Sequence, residues 1–359
     1  MESNMSDAGS SRQFNLIQVL RFIAAAMVLV LHSSFYTSER LVKGSAVWHE
    51  GRYGVDIFFV ISGFVMMLSV EALISKPDGW RTFLSRRFIR IFPLYWVATT
   101  INLAVLLVMP VVVLHSQFDL WEIVSSYFLI PHRDAKGVIE PLLGVGWTLM
   151  FEMMFYYCFA ICLKFKLSPL KMIVPIFIVL GTLSFFKTPA WPTIAFFCNV
   201  HVLAFCTGMF LAKYVRLVPT GLKWGLPFAF VGFLVLVTPA LSSVPVVSPL
   251  VMVLASTLVV AAAISLEPRL GRLAPASLLT LGAASYALYL FHPLIAPAVP
   301  MVLKKLAVHS APLSILLCVC VAIPVGLLVH FGVERPIDAG IRRWTGRRPK
   351  KVEEVQAPA

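Results

Sequence analysis

The sequence predicts an all-α fold: a polytopic integral-membrane helical bundle of about ten transmembrane helices, with both termini in the cytoplasm. Three observations carry this. Hydrophobic residues make up 59% of the 359 and charged residues only 13%, where a soluble domain carries roughly 25% charged. Apolar runs of about 20 residues, enough to cross a hydrocarbon core about 30 Å thick, recur from end to end. Lys and Arg then concentrate in alternate loops.

The runs place helices at about 15–35, 53–74, 88–114, 147–165, 170–187, 193–213, 224–241, 248–266, 277–298 and 311–332. The first is longer than the apolar core of a signal peptide and lacks a small-residue cleavage site after it, so it reads as a retained span. FDLWEIVSSYFLIP, at 118–131, is too short and too polar to cross and reads as an interfacial or re-entrant piece. With the N-terminus inside, the inner segments hold 21 Lys and Arg and the outer loops 8, which supports that orientation. The chain divides into a cytoplasmic tail at 1–14, a membrane domain at 15–336 and a basic tail at 337–359. The net charge of +13 is then explained by topology and by contact with membrane lipid, and no nucleic-acid partner is expected. All six cysteines fall inside apolar runs without zinc-like spacing to histidine, so they read as small buried hydrophobes and no metal is expected.

Within the first run, RFIAAAMVLVLHS, Arg21 and His32 are separated by ten residues. Eleven steps of about 100° come to three turns plus about 20°, so both lie on one helix face, about 16 Å apart along the axis. Charged groups at membrane depth face the bundle interior or a water-filled cavity. The pair therefore marks two levels of one passage, long enough for the pantetheine arm of a thioester. The plainer alternative is that Arg21 snorkels to headgroups and His32 is an interface residue.

Position along each helix becomes depth. At the outer level, GVDIFFVISGF carries Asp56, GWTLMFEMMFYY carries Trp147 and Glu152, and SYALYLFHP carries Tyr289 and His292. Two histidines and two carboxylates at one depth suit acid–base chemistry: His32, Asp56 and Glu152 as catalytic candidates, with Asp56 orienting the imidazole. Trp147, Tyr289 and His292 are candidate acceptor-binding residues. The structural alternative has Asp56 pairing Arg52, Glu152 tying helices together and His292 at an interface. At the inner level, RRFIRIFPLYW brings Arg86, Arg87 and Arg90 to the third span, and arginine forks suit phosphate groups. His201, in mid-span, and His330, near the inner face, read as satisfied structural residues, and Gly63 as a close-packing position.

In order and spacing, these segments and the closing VERP resemble the acyltransferase 3 family of bacterial integral-membrane acyltransferases over roughly 15–336. The Arg–ten residues–His element is similar to that family's signature. The resemblance implies transfer of an acyl group, most often acetyl from acetyl-CoA as co-substrate, to a hydroxyl of a glycan or lipid-linked saccharide. It implies His32 as the catalytic residue, Arg21 in the cofactor channel and Arg86, Arg87 and Arg90 on the CoA side. The chain resembles stand-alone members, most of all exopolysaccharide O-acetylases, and this places it in the bacterial inner membrane. Other stand-alone relatives modify nodulation oligosaccharides or macrolides, so the acceptor stays open here, as does the oligomeric state. The rival class is a transporter or flippase for a sugar or glycolipid. Against it, the two halves show no corresponding Gly/Pro-broken spans.

Overall fold

In hydrocarbon each backbone N–H and C=O needs a partner within the protein, and a helix supplies one locally. Helix is the only regular structure among the described residues. They are 14–71, 73–108, 120–134, 137–238 and 247–344 of a computed structural model. The predicted N-terminal tail (apart from Phe14), the end of the third predicted span, Lys136 and most of the basic tail lie outside them, as does the side chain of Glu71. The helices are α1 (Asn15–Arg40), α2 (Gly54–Glu71), α3 (Gly79–Val108), α4 (Leu120–Tyr127), α5 (Trp147–Phe165), α6 (Pro169–Leu183) and α7 (Val202–Lys213). Then come α8 (Leu222–Val237), α9 (Val247–Leu270), α10 (Ala276–Ala283), α11 (Ser285–Ile295), α12 (Ala298–Lys305), α13 (Ala311–Val329) and α14 (Arg335–Trp344).

Among the described residues, seven helical stretches are long and apolar enough to cross a membrane: Asn15–Arg40, His49–Val70, Gly79–Val108, Gly144–Phe165, Ser248–Leu273, Ser285–Lys305 and Ala311–Arg343. The chain is a multi-pass membrane protein. Three shorter apolar helices, α6, α7 and α8, stand where the other three spans were predicted. The bundle turns large apolar side chains outward, as a lipid-facing wall does: Phe230 on α8 is 69% exposed and Leu328 on α13 is 70% exposed. The short α4 is built the same way, with Trp121 and Val124 exposed while Glu122, Ser125 and Ser126 are buried. Of the cysteines, Cys162, Cys198, Cys206 and Cys318 are buried, Cys158 is half-buried and Cys320 is exposed on α13.

Several predicted boundaries differ from the structure: α3 starts at Gly79 rather than 88, and two further runs are interrupted. The run at 193–213 opens as a 3-10 turn, Thr193–Phe197, after Pro192, and the α-helix starts only at Val202. The run at 277–298 is broken at Ala284 into α10 and α11, and Pro297 caps α12. Hydropathy registers the apolar run in both cases and misses the break.

α1 runs through the middle, against α2, α9, α10, α11 and α13. Its N-terminus is capped from afar: the Asn15 and Leu16 N–H groups donate to the Glu267 carboxylate of α9 at 2.9 and 2.8 Å. The carboxylate satisfies donors that a helix start leaves without partners. α2 and α7 meet through two glycines. A Cβ on Gly63 would lie 2.1 Å from the Phe205 carbonyl oxygen, and one on Gly208 would lie 2.0 Å from that of Val60. Phe205 then stacks on Phe59 and packs tilted against Phe155, at 4.4 and 4.2 Å between centroids.

Candidate active site

Because α1 is continuous from Asn15 to Arg40, Arg21 and His32 do share one face. His32 opens onto a cavity of about 790 Å³, whose wall includes Tyr36, Arg40, His49, Glu140 and Trp147. A mostly apolar concavity with a few polar groups aimed into it is the usual form of a small-molecule site. Trp147, at the start of α5, is on this wall.

The nearest polar partner of His32 is His292 of α11. His292 Nε2 lies 2.7 Å from His32 Nδ1, and the rings stack with centroids 5.0 Å apart and planes 18° apart. His292 is 1% exposed, and its Nδ1 is 3.2 Å from the Leu288 carbonyl oxygen. Three contacts seat α11. The Tyr286 hydroxyl donates to the Ile91 carbonyl at 2.8 Å, that of Tyr289 donates to Val145 at 3.1 Å, and a Cβ on Gly326 would meet Leu288 at 3.1 Å. Tyr289 also shares a hydrogen bond with Thr148 at 2.9 Å. Tyr289, expected as an acceptor contact, is therefore a buried tie between α11 and the turn before α5, away from the cavity wall.

Asp56 does not orient His32. It is fully buried and hydrogen-bonds His201 Nδ1 at 2.5 Å, while Arg52, its other expected partner, donates to the Tyr53 hydroxyl. Asp56 sits in the first turn of α2 and is turned toward α7. A span running from 193 would put His201 in mid-helix. With α7 starting at Val202, His201 is at the helix mouth, level with Asp56. Its ring is 6.5 Å from that of Trp147.

Glu152 does not reach the His32 cavity: it accepts a hydrogen bond from Ser62 at 2.6 Å and lies within electrostatic range of Arg21 and Arg87 as well as of Tyr289. Arg21 donates to Gln18 at 3.2 Å, with Arg90 and Glu334 also in range. Arg87 reaches Ser69 at 3.4 Å and lies over the rings of Phe83 and Tyr156. Arg87 Nε is buried with no acceptor, and Arg86 and Arg90 are exposed. These donors suit a polyanionic group such as a phosphate. None of the four arginines lines the His32 cavity. A π-helical turn, His330–Glu334, follows α13 and pairs His330 Nδ1 with Glu334 at 2.6 Å.

The chain is 30% identical over 339 residues to the exopolysaccharide production protein ExoZ of Rhizobium meliloti (strain 1021), covering 89% of this chain and 96% of the relative. No solved structure matches it significantly. The acyltransferase-domain family matches residues 14–331, from the residue before α1 into the π-helical turn. With Arg21 and His32 on one face of α1 inside that match, the chain belongs to the acyltransferase 3 family and is a membrane acyltransferase.

Proposed function

We propose that the protein transfers an acetyl group from acetyl-CoA to a hydroxyl of an exopolysaccharide or its lipid-linked precursor, in a bacterial inner membrane, with His32 as the base. All ten apolar helices cross in this reading, the termini are cytoplasmic, and the membrane domain spans 15–336. The observation that carries it is His32 itself: an imidazole on the wall of a sugar-sized cavity, on the same helix face as an arginine about 16 Å deeper. The exopolysaccharide acceptor is supported by the relative's name and by near-complete coverage of both chains.

Arg86, Arg87 and Arg90 would hold the CoA phosphates, with Arg21 beside the pantetheine arm. The unpartnered Arg87 Nε and the two exposed guanidiniums fit that group. The saccharide occupies the cavity against Trp147. His32 takes the hydroxyl proton as the oxygen attacks the thioester carbon; the C–O bond forms, the C–S bond breaks, and the departing thiolate receives the proton.

His32→Ala tests the assignment. We expect acetyl transfer in purified membranes to fall by about 10²–10⁴-fold, the usual worth of a general base, with insertion and expression unchanged. The surface polysaccharide should lose its acetyl mass increment. An enzyme that keeps wild-type turnover without the imidazole would remove His32 from the mechanism.

A further inference from the structure

We infer that His292 is a positioning residue that sets the working tautomer of His32, holding a proton on His32 Nδ1 and presenting Nε2 to the acceptor hydroxyl. The inference rests on the reading of His32 as the base.

The argument is a proton count across two contacts. A carbonyl oxygen only accepts, so the 3.2 Å contact between His292 Nδ1 and the Leu288 carbonyl places a proton on Nδ1. A neutral imidazole carries one N–H, which leaves His292 Nε2 bare and accepting. The 2.7 Å contact between His292 Nε2 and His32 Nδ1 needs one proton, and only His32 can supply it. Neutral His32 therefore has Nδ1 protonated and Nε2 bare, and His32 is the member of the pair on the cavity wall. The neutral form of His292 suits its place: it is 1% exposed, with Leu288, Tyr289 and His32 as its neighbours. A charged ring there would lack a counter-ion.

When His32 takes the hydroxyl proton on Nε2, its Nδ1–H keeps the same acceptor. No proton passes to His292, and the ring does not have to turn. The role matches that of the carboxylate beside a catalytic imidazole, carried here by a neutral ring. The device depends on α11 being fixed, which the Tyr286, Tyr289 and Gly326 contacts provide.

Two substitutions separate an acceptor from mere bulk. In His292→Gln, the side-chain carbonyl reaches roughly where Nε2 lies and can accept from His32. His292→Leu fills similar space and cannot. We expect His292→Leu to lower kcat by about 10²-fold or more with KM for acetyl-CoA unchanged, and His292→Gln to recover most of the loss. Nitrogen-15 spectra of the histidine-labelled wild-type protein, with His32 assigned through His32→Ala, should show Nδ1 protonated and Nε2 bare. Wild-type kcat in His292→Leu, equal losses in both folded variants, or a proton on His32 Nε2 in the wild type would each overturn the inference. An active His32→Ala enzyme whose wild-type spectra still show the Nδ1 proton would sink the catalytic reading and leave the tautomer assignment standing.

Discussion

Asp56 has no exposed surface, and its Oδ2 has no partner, so its charge depends on His201. Removing one member of a buried pair leaves the other uncompensated, which costs about 3–5 kcal/mol. His201→Ala should therefore lower the melting temperature in detergent, and adding Asp56→Asn should restore part of the loss by removing the stranded charge. A His201→Ala protein that melts with the wild type would show the carboxylate finding water elsewhere. The two levels of α1 differ in the same local way. His32 is held by one neutral ring, whereas Arg21 sits among Glu152, Glu334 and Arg90. Counting residues put Asp56 near the start of α2 but misjudged His201, whose helix begins at Val202 rather than at 193. The partners of Asp56 and Glu152 were not legible, because the direction in which a side chain points around its helix is decided by neighbours distant in sequence.

For the helices themselves, close approach is set by glycine. Gly63 was legible as a packing position, but its counterpart Gly208 was not, since the pairing of α2 with α7 spans over a hundred residues. Gly208→Val puts branched carbon where the Val60 carbonyl already lies. Overpacking of this kind costs about 1–3 kcal/mol or more. The variant should lose monodispersity in size-exclusion chromatography, whereas Gly340→Ala, which meets nothing within 4 Å, should not. The Glu267 cap offers a milder probe. Glu267→Ala frees two N–H groups at the start of α1 and should cost about 0.5–2 kcal/mol in a detergent melt. An unchanged melt would mean that water replaces the carboxylate there.

Across the whole molecule, the charge bias and the two levels of α1 make one statement about orientation. If the termini are cytoplasmic, Lys304 on α12 faces outward and Arg81 on α3 faces inward; both are exposed. In a background lacking Cys158 and Cys320, Lys304→Cys should react with an impermeant maleimide in cells whose outer membrane alone is opened. Arg81→Cys should react only after full permeabilisation. The reverse pattern would invert the bundle and put the His32 cavity on the cytoplasmic side.

The sequence by itself determined the all-helical membrane class and the shared face of Arg21 and His32. Hydropathy is summed along the chain, and helix rise and rotation are local, so neither needs a tertiary contact. It also marked the apolar helices, seven of them among the described residues long enough to cross, yet missed the late start of α7 at Val202 and the break at Ala284, which leave a run just as apolar. Only the tertiary structure decided which groups meet: His292 on His32, His201 on Asp56, Ser62 on Glu152. Depth follows from counting residues along one helix. Azimuth follows from packing many helices against each other, where a glycine on one strand of the bundle decides how far its neighbour turns.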